Sequence, residues 1–536
     1  MRSPASVDAG FVFARGGPMR VTFVYPDVVT PVINFCPAVH VLSAVLKRSG
    51  HETALIHVND GQGVPCDRSA IVQLARDQRP ELIAMTATSF NYAYANEIAG
   101  WLEEAMPGVP RILGGAHATI QPEDFPASHF DAFCIGEGEE PLLDVVNALE
   151  HGRDWSDTPN LVARRPDGSI VRNPVRGFLR DLDALPFLDF DITETRRILE
   201  ARQAWLSISF SRGCPYECTF CINHLYKQQL KGPHDRMSDY LRRRRAASAV
   251  DEMESLVQKF PGQIKVFNFD DDLLPMDKVW MREFAARYRR QILEPYAVKY
   301  AINCRATFLD EELSQLFARS GCHEVRIGFE TGNERLREQV LGKPIRDADL
   351  IHAFAMCDRY GVPTNAFTMM GVPGESEDTL RDTVRMVLRL KPHLMRMTYL
   401  HPYAHTRIYD LCMERGLFKP SPVHEDSFTE SPLRFEHLAD EQIFCFRFLF
   451  PWYLNTAWYA GSPPAEHYRR LIGRFEHRSF AELRKSVPEI VECDKQASAQ
   501  MDRPHFRYFG GNAYYFQLAG KYAPDGRVLA ACEPEA

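Results

Sequence analysis

No stretch of 18 or more apolar residues occurs in the 536-residue chain, so a membrane-spanning helix is not expected. The densest candidate, Ile443-Phe444-Cys445-Phe446-Arg447-Phe448-Leu449-Phe450, is interrupted by Arg447 and closed by Pro451. A continuous apolar secretion segment is also lacking: the small-residue-rich start reads as a flexible leader over residues 1–19. A disulfide framework is missing too. The 13 cysteines run from Cys36 to Cys532, an odd number at mostly wide spacings, which points to a reducing, cytoplasmic compartment. No internal repeat and no long low-complexity tract is found. Basic charge is not in excess: a net charge of −8 and a pI near 6.2 argue against a broad nucleic-acid-binding surface. One dense basic run, Arg242-Arg243-Arg244-Arg245, is expected to be the solvated face of a helix.

Hydrophobic content of 45% and charged content of 25% are those of a globular protein, and the length predicts two or three domains. Residues 20–150 alternate short apolar strands (21–25, 54–58, 82–87, 111–113, 132–135) with helices near 37–49, 92–105 and 140–149. That alternation predicts an α/β, doubly wound, Rossmann-like parallel sheet. Residues 151–200 read as an irregular linker with a hairpin turn at Pro166-Asp167-Gly168. A second alternating series fills 201–410, with strands at 206–210, 264–269, 299–303, 324–329, 364–371 and 395–400. Six such units predict a partial (β/α)6 barrel whose functional groups follow the strand ends. Residues 411–536 are predicted to be mostly helical. Their aromatics, among them Trp452, Tyr453, Trp458 and Tyr459, suit either a packed cap or a pocket wall.

Three cysteines stand apart. Phe210-Ser211-Arg212-Gly213-Cys214-Pro215-Tyr216-Glu217-Cys218-Thr219-Phe220-Cys221 follows a predicted strand and sets thiols in a C-x3-C-x2-C loop. Thiolates are the natural ligands of iron–sulfur clusters, and a [4Fe–4S] cluster held by three of them keeps one iron open for a chelating small molecule. Zinc is the competing metal, but a structural zinc site needs a fourth ligand, for which His224 is the nearby candidate.

This loop, with Phe220 just before the last cysteine, resembles the radical S-adenosylmethionine (SAM) superfamily. The likeness extends along the second series. Asp270-Asp271-Asp272 resembles the family's acidic turn, Asn303-Cys304-Arg305 ends the third strand, and Gly328-Phe329-Glu330-Thr331-Gly332 ends the fourth. Gly371-Val372-Pro373-Gly374-Glu375 resembles its glycine-proline-glycine-glutamate turn. The resemblance implies a [4Fe–4S] cluster on Cys214, Cys218 and Cys221, and a SAM site drawing on Phe220, Asp270, Arg305, Glu330, Gly371 and Gly374. Arg305 suits the SAM carboxylate, since guanidinium binds carboxylates bidentately. Glu330 suits its ribose or ammonium group. The bland alternatives are ion pairs for both, a helix cap for the aspartates and a tight turn for the glycines.

Leu113-Gly114-Gly115-Ala116-His117-Ala118-Thr119, Ile135-Gly136-Glu137-Gly138-Glu139-Glu140-Pro141 and the linker Leu182-Asp183-Ala184-Leu185-Pro186-Phe187 resemble the class that carries a cobalamin (B12)-binding domain ahead of the barrel. The resemblance implies cobalamin contacts from Thr86, Thr88, Ser89, Gly114, Gly115, Gly136, Glu137 and Gly138. One departure is plain. The D-x-H-x-x-G motif that supplies a histidine to cobalt is absent, with Tyr25-Pro26-Asp27-Val28-Val29-Thr30 in its place. His117, in a glycine loop, is expected at the surface and is a poor substitute.

The class implies a C-methyltransferase acting on an unactivated carbon of a small-molecule or natural-product precursor. A cyclase or rearrangement enzyme, like the anaerobic porphyrin-ring cyclases, is the alternative on the same layout. A non-catalytic cobalamin or iron–sulfur sensor would append an output module, and the tail carries no DNA-binding signature. The class also implies an electron donor such as flavodoxin or ferredoxin. Tyr403 and His405, where relatives have a proline-glycine-threonine turn, are the candidates to face substrate.

Overall fold

The computed structural model describes residues 17–29, 32–420, 430–510 and 515–521, so the expected leader falls almost wholly outside the described residues. The chain forms two compact units, residues 1–207 with 223–244, and residues 208–222 with 245–536.

In the first unit the strands are β1 (Arg20–Pro26), β2 (Glu52–Val58), β3 (Leu82–Thr86), β4 (Arg111–Gly114), β5 (Ala132–Cys134), β6 (Leu161–Arg164) and β7 (Ile170–Arg172). They form one sheet in the order β2-β1-β3-β4-β5-β6-β7. β1 to β5 are parallel, and β6 and β7 run antiparallel as a hairpin about the expected Pro166-Asp167-Gly168 turn. The helices are α1 (Pro37–Arg48), α2 (Arg68–Gln78), α3 (Tyr92–Ala105), α4 (Ala116–Ile120) and α5 (Glu139–Glu150). Period-2 alternation sends neighbouring strand residues to opposite faces. Ile83, Met85, Leu113 and Phe133 pack with α2 and α3, while Leu82, Ala84, Ile112 and Ala132 pack with α1 and α5. Both faces are therefore covered, as parallel sheets require. α2 was not legible from its apolar pattern, because it buries only Ile71, Val72 and Ala75; its start is marked instead by Asp67, whose side chain accepts from the Ala70 N–H.

The basic run departs from expectation. Arg242 and Arg244 are buried, and the run lies before the helix Ala246–Lys259 rather than on one. Arg242 holds both carboxylate oxygens of Glu137, at 2.8 and 2.9 Å, and lies over the Phe178 ring at 5.0 Å. Arg244 donates to the carbonyls of Leu185 and Pro186. A buried guanidinium stays charged and must find acceptors, and alternate arginines here do so. Glu137→Ala leaves Arg242 buried without its anion and should destabilise the first unit by about 3–5 kcal/mol, read from denaturant unfolding.

In a second sheet the strands Trp205–Ile208, Val266–Phe269, Lys299–Cys304, Cys322–Glu330, Thr364–Met370 and Leu394–Tyr399 lie side by side in chain order. The pairings from the second strand to the sixth are parallel. This is the expected partial barrel. Beyond it the tail is helical, but it adds an antiparallel pair, His505–Tyr508 and Tyr515–Ala519, that extends the sheet beside Leu394–Tyr399. The tail aromatics serve packing first: Trp452 is fully buried, and its indole N–H donates to Asp494 at 2.8 Å. The other Asp494 oxygen accepts from the Tyr508 N–H at 2.9 Å.

Candidate functional site

The cysteine loop leaves the end of the first barrel strand and is anchored at its far side. Thr219 donates its N–H to the Leu341 carbonyl at 2.9 Å and its hydroxyl to the Val340 carbonyl at 2.7 Å. Its own carbonyl accepts from the Ile408 N–H. Cys214, Cys218 and Cys221 are all half-buried, and none is in a disulfide. Burial pushes Cys214 up to about 11, against a hydrogen bond from the Tyr216 N–H, and the charges of Asp272, Cys221 and Cys218 add to the rise. The Cys214 sulfur therefore lies within electrostatic reach of the other two. Among the described residues no three His, Cys, Asp or Glu donors meet at the spacing of a single-ion site. His224 is buried on the helix Asn223–Gln229 of the first unit.

Around the thiols stand side chains from the next strand ends. Arg305 is buried, lies 3.8 Å from the centre of the Tyr216 ring, and donates to the Pro344 carbonyl at 3.1 Å. Its charge also acts on Cys218, while its Nε has no partner. Glu330 ends the fourth strand at φ 64°, a left-handed conformation that a non-glycine residue adopts only when its surroundings hold it. Its holder is Lys343, whose Nζ reaches Glu330 Oε1 at 2.5 Å and whose charge also acts on Cys218. Phe220 is half-buried against an apolar cluster that includes Leu400 and Ile408. In the acidic turn, Asp270 is exposed and accepts from Asn268 Nδ2 at 2.5 Å, whereas Asp271 is buried. Tyr403 lies close enough to Cys221 for the thiolate to add to the upward push that burial gives its phenol. His405 is exposed.

The glycine-proline turn after the fifth strand closes on two carboxylates, its own Glu375 and the distant Glu436. The Gly371 N–H donates to Glu375 at 2.7 Å, and the Gly374 N–H to Glu436 at 2.7 Å. Both glycines lie in this turn with positive φ, 80° at Gly371 and 83° at Gly374. Burial pushes Glu375 up to about 8 against hydrogen bonds from the Gly371 and Val372 N–H groups. A carboxyl raised on folding contributes stability below its unfolded value that is lost as pH rises through its folded one. Unfolding profiles should therefore fall between about pH 4.5 and pH 8, and Glu375→Gln should flatten that fall while keeping an acceptor for Gly371.

In the first unit the expected cobalamin residues lie together at one edge. Thr86, Gly114 and Gly136 end or follow β3, β4 and β5, adjacent parallel strands, beside the β1/β3 point where strand order reverses. Such a switch point at the carboxyl edge is where open α/β sheets bind ligands. Gly115 there has φ 90° and ψ −167°, a region essentially confined to glycine. Thr88 is spent locally, its hydroxyl donating to Asn91 Oδ1 at 3.0 Å, and Ser89 donates to Gln121 Oε1. Glu137 is committed to Arg242 and to the Leu179 N–H. His117 corrects the expectation of a surface residue: it is buried, stacked on Tyr92 with ring centres 3.6 Å apart, and paired with Asp124 at 3.2 Å.

Comparison with known proteins decides what these two units are. The Radical SAM superfamily matches residues 208–387, and the B12 binding domain matches residues 37–146. The chain is a radical SAM enzyme with a B12-binding domain. It is 23% identical over 405 residues to an uncharacterized methyltransferase of Pyrococcus horikoshii, covering 75% of this chain and 83% of that one. It is 26% identical over 412 residues to the anaerobic magnesium-protoporphyrin IX monomethyl ester cyclase of Rubrivivax gelatinosus, covering 74% and 70%. Its fold resembles that of the radical S-adenosylmethionine methyltransferase TsrM from Kitasatospora setae, with a TM-score of 0.61 at 20% identity, covering 75% of this chain and 77% of that one.

The residues of this radical SAM enzyme fit the cofactors of its class. Three neighbouring thiols on an anchored loop, flanked by the cationic Arg305 and Lys343, suit an anionic cluster. The unpartnered Nε of buried Arg305 is a donor awaiting an anion, as the carboxylate of SAM is. Sequence reading missed Lys343, which carries no motif signal beyond following Gly342, and Tyr216, whose ring carries Arg305. Among the described residues no helix is long and apolar enough to cross a membrane.

Proposed function

We propose that this chain is a cobalamin-dependent radical SAM C-methyltransferase that methylates an unactivated carbon of a small molecule. The observation that carries the reading is the pairing of the two sites in one chain, a three-thiol loop ringed by Arg305, Glu330 and Lys343, and glycine loops at the switch point of a B12-binding sheet. When bound, the cluster supplies the electron that splits SAM into methionine and a carbon radical, and cobalamin supplies the methyl carrier. The chain's own residues then bind and orient. Cys214, Cys218 and Cys221 hold the cluster, Arg305 receives the SAM carboxylate, and Glu330, steered by Lys343, receives its polar groups. Phe220 and Tyr403 wall the same space, and Asp270 and His405 lie at its exposed margin. Thr86, Thr88, Ser89, Gly114, Gly115, Gly136, Glu137 and Gly138 line the corrin edge. Both methyltransferase relatives favour methyl transfer. An electron donor of the flavodoxin or ferredoxin kind and a reducing, cytoplasmic setting complete the reading.

The cyclase relative supports a second reading on the same architecture. Product analysis separates them. With hydroxocobalamin, strong reductant and SAM under anaerobic conditions, a methyltransferase forms S-adenosylhomocysteine as well as 5′-deoxyadenosine. Deoxyadenosine alone, with corrin bound, would instead favour the cyclase.

A further inference from the structure

We propose that Asp271 is a positioning residue that clamps the approach to the cluster loop and so sets where Cys214 stands; this deepens the radical SAM reading and rests on it. The first barrel strand stays in register with its neighbour only as far as the Asp270 N–H, which donates to the Ile208 carbonyl at 3.0 Å. Past that bond the two chains separate, and the next backbone donors of the cysteine segment need another acceptor. One oxygen supplies it. Asp271 Oδ1 accepts from the Phe210 N–H at 2.9 Å, from the Ser211 N–H at 2.5 Å and from the Ser211 hydroxyl at 2.5 Å. Ser211 is three residues before Cys214.

The clamp is itself held. Asn303, at the end of the third strand, donates its side-chain amide to the Asp271 carbonyl at 2.9 Å. Three strand ends are thereby tied to the first half of the loop. The second half hangs on different supports, the Thr219 bonds to Val340 and Leu341. Asp271 is buried, and its second oxygen has no partner. A buried carboxylate with one idle oxygen is a costly way to cap two amides, and a neutral side chain would be the cheaper device if capping were the whole purpose. Burial pushes the Asp271 carboxyl up to about 7 against the three bonds it accepts; it is the convergence of three donors from adjacent positions on this one oxygen that fixes the segment. The neighbouring Asp270 and Asp272 are both exposed, and neither takes part in the clamp on Phe210 and Ser211.

The two halves of the loop give the test its resolution. In the anaerobic apo-protein, rates of iodoacetamide labelling at Cys214, Cys218, Cys221 and Cys493 are followed by peptide mass spectrometry. Asp271→Asn keeps the shape but weakens the acceptor, and Ser211→Ala removes one of three donors and leaves the fold intact. Cys214 should label about tenfold faster in Asp271→Asn and about threefold faster in Ser211→Ala, while Cys218 and Cys221 change less and Cys493 does not change. After reconstitution, both variants should bind iron like the parent but show an altered electron paramagnetic resonance signature when SAM is added. Equal acceleration at all four cysteines, or none at Cys214 in either variant, would overturn the clamp. Failure of the parent protein to assemble a cluster would overturn the radical SAM reading instead, and the apo labelling pattern does not depend on it.

Discussion

5′-Deoxyadenosine formation should fall by at least about 1,000-fold when Cys214, Cys218 and Cys221 are replaced together by alanine, because no side chain near the loop can replace three thiolates as cluster ligands. The loop lies outside both apolar cores of the first unit and is only half-buried in the second. Circular dichroism and the unfolding midpoint should therefore stay close to those of the parent. Corrin binding should survive too, since its expected residues belong to a separate unit. Liquid chromatography of the quenched reaction reads the nucleoside, and the visible spectrum reads the corrin. Retained cleavage in the triple variant would remove the cluster from this loop.

The converse loss is expected from Gly115→Val. A Cβ at Gly115 would stand 2.5 Å from the Thr86 hydroxyl oxygen and 2.9 Å from the Ala87 carbonyl, and φ there is +90°. Both neighbours sit where β3 ends, so the ends of β3 and β4 must separate to accept the side chain, at a strain cost of about 1–3 kcal/mol before any overpacking. A branched side chain also fills the edge on which the corrin is expected to rest. Hydroxocobalamin affinity should drop about 100-fold, equivalent to about 2.7 kcal/mol, as read by equilibrium dialysis. Iron content and the cluster spectrum should be unchanged. An unaltered corrin affinity would move the cobalamin site away from the switch point.

Most of the architecture was legible because α/β chains advertise themselves. Alternating apolar strands and amphipathic helices revealed both sheets, since a parallel crossover usually carries a helix long enough to show its own period, α2 and the short α4 excepted. The misreadings share a cause, which is that local pattern says nothing of distant partners. Arg242 looked solvated because its anion, Glu137, is over a hundred residues away. His117 looked superficial because its stacking partner Tyr92 and its acid Asp124 come from other segments. The strand pair His505–Tyr508 and Tyr515–Ala519 hid in a helical tail because its purpose is to cover the edge left by Leu394–Tyr399. At the candidate site the thiols were plain from spacing alone. The cationic side, Arg305 on Tyr216 and Lys343 on Glu330, needed the strand ends brought together. Within the acidic turn, three consecutive aspartates are alike in sequence, and only folding distinguishes the buried Asp271 from its exposed neighbours.

One chain is expected to hold two cofactors, a cluster in the second unit and a corrin in the first. The decisive measurement is metal and corrin analysis of the protein, reconstituted anaerobically with iron, sulfide and hydroxocobalamin and then desalted. About four irons and one cobalt per chain are expected, with the iron lost in the triple cysteine variant and the cobalt retained. Zinc in place of iron at the three cysteines, with no cobalt bound, would refute the two-cofactor reading.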